Sequence, residues 1–329
     1  MIRTDQVVLV TGATGFIGHH VCRDLLSAGF KVRVLIRGET PLEVPPHHNL
    51  DAHLGDLLCE KTMTSLCAGV DLIVHLAGHA HTNNADDNYV HKINVLGTES
   101  LLGAAVSQGV KKFILISSSL ALEAERNDKR ATAYGFSKLE AERLVLCENE
   151  KGNIQAVVLR PVNVYGEGMR GSISSLISLI SAGLIPRLPP LDTQISLLGV
   201  DDLICAIRLV MDSEKANGET YVVTDGNKYS ISDIERAIYR VLGRNIPRWA
   251  LPRIFLYIIM LSAHIMAKTL SIFKVRFPST ENLKLRTYQN LVSENLFDNN
   301  EICKQLGFKP KSTFYGSLPK IVDALNRRI

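Results

Sequence analysis

The sequence has no Cys-x-x-Cys pair. Its six cysteines, Cys22, Cys59, Cys67, Cys147, Cys205 and Cys303, are scattered over 329 residues. That spacing offers neither a zinc ribbon nor a disulfide scaffold and reads as free thiols in a reducing compartment. No apolar run reaches the roughly 20 residues of a membrane span. The run Ile254 to Ala267 stops at fourteen residues, with Ser262 and His264 as its interruptions. Long basic blocks are absent and the net charge is only +4, so nucleic acid is not an expected partner. There is no internal repeat or low-complexity tract. No charged-then-apolar leader precedes the first apolar segment, and a cytoplasmic location is the expectation. What is present, 46% apolar and 21% charged residues, is the composition of a globular chain large enough for one core or two lobes.

The most informative segment is Val8-Leu9-Val10-Thr11-Gly12-Ala13-Thr14-Gly15-Phe16-Ile17-Gly18. An apolar strand, Val7 to Val10, turns through three glycines into a segment whose Ile17, Val21 and Leu25 recur at helical spacing. A strand that turns tightly into a helix gathers backbone N–H groups at the positive end of the helix, where pyrophosphate binds. One glycine makes the turn, one lets the phosphates approach and one lets helix and strand pack closely. The spacing Gly-x-x-Gly-x-x-Gly differs from the common Gly-x-Gly-x-x-Gly, and an ordinary strand–helix turn is the structural alternative.

Strand and helix patterns alternate through the first half. Apolar strands are expected at Val7–Val10, Lys31–Ile36, Asp71–Leu76, Lys112–Ser117 and Ile154–Leu159, with helices at Gly18–Ala28, Asn88–Gln108 and Tyr134–Glu148. Short apolar strands between helices imply an α/β fold, a Rossmann-type doubly wound parallel sheet. Ligands of such sheets bind beyond the carboxyl ends of the strands. From about Gly166 the pattern changes to proline-rich loops at Pro186, Pro189 and Pro190. A helix is expected from Val200, with Asp201 and Asp202 suiting its first turn, then a strand at Thr220–Val223. A further helix is expected from Ile231, with Ser230 and Asp233 resembling a capping box. We therefore expect a dinucleotide-binding domain over 1–165 and a smaller mixed α/β substrate lobe over 166–329, with 195–215 packing back on the first domain.

Tyr134 and Lys138 stand four apart and share one face of a helix. An ammonium beside a phenol lowers its pKa toward working pH, so the phenol can exchange a proton with a substrate hydroxyl during hydride transfer. Ser117, Ser118 and Ser119 end the strand sixteen residues earlier. A hydroxyl there can polarise a substrate oxygen, or simply satisfy local backbone.

In order along the chain come the glycine triplet, Gly55-Asp56-Leu57, His75-Leu76-Ala77-Gly78 and Asn94 in Ile93-Asn94-Val95-Leu96-Gly97-Thr98. Ser117-Ser118, Tyr134-x-x-x-Lys138 and Leu159-Arg160-Pro161 follow. Together they resemble the extended short-chain dehydrogenase/reductase family, the nucleotide-sugar epimerases and dehydratases. The resemblance covers most of residues 6 to 215. Leu306-Gly307-Phe308-Lys309-Pro310 is also similar to that family's closing element. It implies a nicotinamide dinucleotide held by Gly12, Thr14, Gly15, Phe16, Ile17, Gly18, Arg37, Asp56 and Leu57. Leu76, Ala77, Gly78, Asn94, Ser117, Tyr134, Lys138 and Pro161 would complete that site. It also implies catalysis by Ser118, Tyr134 and Lys138: Tyr134 as acid/base, Lys138 on the nicotinamide ribose, Ser118 on the reacting oxygen.

Within the family, Ala77-Gly78-His79-Ala80-His81 and Ala182-Gly183-Leu184-Ile185-Pro186-Arg187-Leu188-Pro189 resemble the branch acting on UDP-N-acetylhexosamines. This branch holds 4-epimerases and 4-dehydrogenase/reductases. The implied substrate is a UDP-sugar of polysaccharide biosynthesis, held by His81, Ser118, Ser119, Tyr134, Asn163 and Arg187 in a homodimer. One departure stands out: Thr193-Gln194-Ile195-Ser196 places isoleucine where the branch has a diphosphate-gripping arginine. Arg187 or Arg170 is a candidate replacement. A reductase or dehydrogenase of a hydrophobic alcohol or ketone is the alternative, and a non-catalytic dinucleotide-binding regulator is a third.

The second strand ends at Arg37 where an acidic residue would accept a ribose 2′-OH. Arginine suits a 2′-phosphate or stacking on adenine, so NADP is favoured over NAD. Asp56 is read as an adenine contact or as a helix cap. His75, His79 and His81 lack the rest of a closed ligand set, and no metal is expected. The 254–273 segment is read as a core helix or pocket wall, with peripheral membrane contact as the other possibility.

Overall fold

A computed structural model describes residues 5–38, 41–79, 87–128, 130–255, 257–258, 261–262 and 293–327. His81 lies outside them, as does 254–273 apart from Ile254, Phe255, Tyr257, Ile258, Leu261 and Ser262.

The strands are β1 (Val7–Thr11), β2 (Lys31–Ile36), β3 (Leu50–Leu54), β4 (Leu72–His75), β5 (Lys112–Ile116), β6 (Gln155–Pro161), β7 (Asn163–Tyr165), β8 (Gln194–Gly199), β9 (Thr220–Val223) and β10 (Lys228–Ser230). The helices comprise α1 (Phe16–Ser27), α2 (Glu60–Cys67), α3 (Asp87–His91), α4 (Gly97–Ser107), α5 (Ser119–Glu125) and α6 (Ala133–Glu150). They continue with α7 (Ser172–Ala182), α8 (Val200–Asp212), α9 (Ile231–Val241), α10 (Asn300–Leu306) and α11 (Phe314–Asn326).

The chain forms two compact units. The first comprises Met1–Val162, Val200–Thr224 and Asp298–Lys311; the second comprises Asn163–Gly199, Asp225–Phe297 and Ser312–Ile329. The first is built on a seven-stranded parallel sheet in the order β3-β2-β1-β4-β5-β6-β9. Helices cover both faces, so Val8, Leu9, Val10, Ile73, Val74, Phe113 and Ile114 are fully buried. This double burial is why the strands read as continuous apolar runs. The strand order reverses between β1 and β4, where Thr11 lies beside His75. In such sheets this switch point is where ligands bind.

The alternation expected for the first half is present, with two differences. β3 is an edge strand, Leu-Asp-Ala-His-Leu, mostly exposed and without an apolar run to announce it. The expected helix at 88–108 is α3 and α4 joined by a π-helical turn over Lys92–Leu96.

In the second unit β8 lies between β7, parallel to it, and β10, antiparallel. Tyr165 and Tyr229 both donate to the Asp225 carboxylate, at 3.2 and 2.6 Å. The Tyr229 hydroxyl in turn accepts from the Phe314 backbone at 3.1 Å. The Tyr165 and Phe314 rings meet edge to face at 5.4 Å, which ties α11 to the sheet. Ser230 caps α9 as its sequence suggests, accepting from the Asp233 N–H at 3.0 Å and donating to its carboxylate at 2.9 Å.

Candidate active site

The turn after β1 has the geometry of a phosphate cradle. Gly12 has φ +75°, and a Cβ there would stand 2.7 Å from Ala77 N. A Cβ on Gly18 would stand 2.1 Å from Gly12 O, so α1 packs directly on the turn. The Gly15 N–H donates to Gly12 O at 3.0 Å and Gly15 starts α1. No side chain caps α1 and its first turn holds no acid. Its positive end is therefore left to an anion. A dinucleotide's pyrophosphate fits this donor set, with Thr14, Phe16 and Ile17 on the same turn.

Thr132 caps α6 by accepting from the Gly135 N–H at 2.9 Å, which sets Tyr134 in the first helical turn. A Cβ on Gly135 would stand 2.5 Å from Leu120 O, so glycine lets α6 close against α5. Tyr134 is hydrogen-bonded to Ser118. Ser118 also caps α5, accepting from the Leu120 N–H at 3.2 Å. One hydroxyl thus starts a helix and meets the phenol; Ser119 follows it, buried, as the first residue of α5.

Burial pushes the Tyr134 phenol up to about 12, and the Ser118 hydrogen bond offsets this in part. Lys138, one turn on and 3% exposed, is pulled down to about 8 by burial, opposed by the Glu142 carboxylate. The spacing alone suggests a phenol lowered toward neutrality. In the structure burial raises the phenol instead, and the group that lowers it is Ser118.

A second layer holds these groups. His75 is fully buried, with Nδ1 2.6 Å from Thr11 Oγ1 and Nε2 3.0 Å from Thr98 Oγ1. Burial and the Lys138 charge push it down to about 3, so it is neutral. Both ring nitrogens are engaged, which leaves His75 no lone pair for a metal. Thr98 donates on to Asn94 O at 2.6 Å, and Thr11 accepts from the Ala77 N–H at 3.2 Å.

Asn94 sits in the π-helical turn, a feature frequent at functional sites. Its side chain accepts from the His79 N–H at 2.6 Å. It also donates to His79 O at 3.3 Å and Ser137 Oγ at 2.9 Å. It therefore clamps the 76–79 loop to α6. A Cβ on Gly78 would lie 3.1 Å from Asn94 Oδ1 and 3.9 Å from Lys138 Nζ, which places the ammonium beside this loop.

On the same face of α6, one turn beyond Lys138, lies Glu142, 1% exposed. Arg160 grips it with Nε at 3.0 and 3.1 Å and Nη2 at 2.6 Å, and donates from Nη1 to Glu125 at 2.8 Å. The Ser117 hydroxyl donates to the same Glu142 carboxylate. The Ser117 hydroxyl proton is therefore committed to Glu142, which leaves that oxygen to act toward a cofactor only as an acceptor. Sequence reading missed Glu142, Ser137, Thr11 and Thr98. The available signal was spacing, since Tyr134, Lys138 and Glu142 recur every four residues on one helical face.

The remaining expected residues divide between the units. Arg37 is exposed at the end of β2, with Nη1 3.5 Å from the Tyr89 hydroxyl. The Asp56 carboxylate accepts from the Leu58 N–H at 3.0 Å in a local turn and does not cap α2, whose N-cap residue is Cys59; Leu57 is buried. Pro161 ends β6 and Leu76 follows β4. In the second unit Asn163 is exposed in β7 and Arg170 is exposed in a loop. The Arg187 carbonyl accepts from the Leu251 N–H at 2.8 Å. Ile195 is buried in β8, so that position contributes packing and not charge.

Residues 8–224, more than half of the chain, match the model of the NAD dependent epimerase/dehydratase family. The chain belongs to that family. It is 28% identical over 266 residues to a UDP-glucose 4-epimerase of Vibrio cholerae, spanning 76% of this chain and 79% of the relative. It is 26% identical over 269 residues to a 3-beta-hydroxysteroid dehydrogenase of Mycolicibacterium neoaurum, spanning 75% and 73%. Its fold matches a UDP-glucose 4-epimerase of Thermotoga maritima solved with UDP-glucose, at TM-score 0.77 and 20% identity over 98% of this chain and 99% of that one. A UDP-glucuronic acid 4-epimerase of Bacillus cereus solved with NAD gives TM-score 0.76 and 21% identity over 98% and 97%. The chain is thus an enzyme of an NAD-dependent family with a Rossmann-type fold.

Proposed function

We propose that this enzyme oxidises or reduces C4 of a nucleotide sugar of the UDP-N-acetylhexosamine type, with Tyr134 as its acid/base. The observation that carries the reading is the hydrogen-bonded Tyr134–Ser118 pair above a buried Lys138 on the same helix. Gly12, Gly15, Gly18 and the start of α1 would hold the dinucleotide, and Lys138 its nicotinamide ribose. Arg37 in place of an acid supports NADP as the preferred form. When bound, the dinucleotide supplies the hydride acceptor or donor. Tyr134 takes the C4 hydroxyl proton as the hydride leaves and returns it in reduction. Ser118 orients the C4 oxygen, and Asn163 and Arg187 bind the diphosphate. Likeness to the Vibrio cholerae epimerase supports the sugar-nucleotide class.

The second reading is an apolar alcohol or ketone. Ile195, buried where the UDP-hexosamine branch has an arginine, favours it, as does likeness to a 3-beta-hydroxysteroid dehydrogenase. Calorimetric titration of UDP into protein holding NADP or NAD separates the two. We expect saturable binding, weakened about tenfold or more by Arg187→Ala through loss of a charge-assisted contact. No heat at millimolar UDP, with a steroid-type ketone binding instead, would favour the second reading.

A further inference from the structure

We propose that the second unit carries a docking surface for anionic lipid bilayers, formed by Trp249, Ile254, Phe255, Tyr257 and Ile258. The surface is apolar to an unusual degree. Trp249 is 62% exposed, Ile254 60%, Phe255 54%, Ile258 49% and Tyr257 37%. Arg253–Phe255 and Tyr257–Ile258 are helical, and Ile254 and Ile258, four apart, share a helical face. Leu184, 72% exposed, belongs to a neighbouring segment. Arg187 bridges Ala250 in parallel pairing, which sets residues just after Leu184 alongside residues just after Trp249.

The sequence on either side of Trp249 is basic. From Arg240 to Ile258 the sequence contains no aspartate or glutamate and four arginines, Arg240, Arg244, Arg248 and Arg253. All four are exposed, whereas Arg236, one turn earlier, is paired with Asp233. Tryptophan and aliphatic side chains that insert at the headgroup boundary, ringed by arginines that meet anionic headgroups, are what an interfacial contact requires. The fourteen-residue apolar run at 254–267 is too short to span. Among the described residues no helix is long and apolar enough to cross a membrane.

A second copy is a poor occupant. A two-fold contact through this face would set its arginines against the same arginines of the partner. An anionic bilayer is attracted by those charges and covers the apolar side chains together. The inference is independent of which substrate is turned over.

The test is co-sedimentation of the full chain with vesicles of phosphatidylcholine alone and of phosphatidylcholine with phosphatidylglycerol. Binding to the anionic vesicles should exceed the neutral control by about tenfold or more and fall as salt is raised. Ile254→Asp should abolish it, and Arg240→Gln with Arg248→Gln should weaken it by roughly fivefold per arginine. Melting temperature and elution volume report whether each variant folds. The arginine pair lies on the surface and keeps the test decisive if Ile254→Asp does not fold. Equal recovery on both vesicles would overturn the proposal. So would anionic binding that a folded Ile254→Asp variant retains, or a dimer that Ile254→Asp dissociates in a protein that ignores vesicles.

Discussion

Burial holds the Tyr134 phenol protonated at neutral pH, so in the proposed role it donates to the C4 oxygen in reduction as it stands, whereas in oxidation it takes the C4 hydroxyl proton only once deprotonated. The chemistry then needs the hydroxyl and not the ring. Tyr134→Phe should lower kcat by about 10²–10⁴-fold and leave dinucleotide affinity unchanged, because the ring still packs. Wild-type turnover by that variant, measured beside its cofactor titration, would remove Tyr134 from the mechanism. Arg37 poses a separate question at the end of β2. Arg37→Asp should move the ratio of NADP to NAD affinity toward NAD, since a carboxylate repels a 2′-phosphate and accepts from a 2′-OH. An unchanged ratio would leave Arg37 with adenine stacking alone.

At the scale of elements, the ends of β1 and β4 are locked together by His75 between Thr11 and Thr98. His75 has a folded pKa of about 3, well below the ordinary 6.5. As pH falls below 6.5 the unfolded chain takes up a proton that the folded chain refuses. The stability due to a neutral His75 is present above 6.5 and is lost progressively as pH falls toward 3. Denaturant melts across that window should show this slope, and it should flatten in His75→Gln; an equal slope in both proteins would assign the acid sensitivity to other groups. The Rossmann elements were legible because buried parallel strands write themselves as apolar runs, as Val7–Thr11 and Lys112–Ile116 do. β3 was not, since an exposed edge strand needs no such run. The π-helical turn at Lys92–Leu96 was also hidden: one extra residue in a helical turn barely disturbs the periodicity. Its consequence is large, because it aims Asn94 at His79 and Ser137.

For the whole molecule, motif residues were easier to read than the second unit. Tyr134, Lys138 and the glycines declare themselves by spacing, whereas β7, β8 and β10 have three to six residues each and rely on long-range pairing. The Asp225 carboxylate that joins Tyr165 and Tyr229 spans 60 residues of sequence to the first of them, and no local pattern announces it. The direction of the Tyr134 shift was equally out of reach, since desolvation depends on everything packed around the group. The activity proposed for the whole enzyme is redox chemistry at a sugar C4 through Tyr134. It is tested most directly by incubating the protein with a UDP-N-acetylhexosamine and NADP or NAD and following the C4 position by proton NMR. A 4-keto sugar or its C4 epimer should form with the native chain and neither with Tyr134→Phe. A sugar unchanged at C4, from a protein that oxidises a hydroxysteroid under the same conditions, would contradict it.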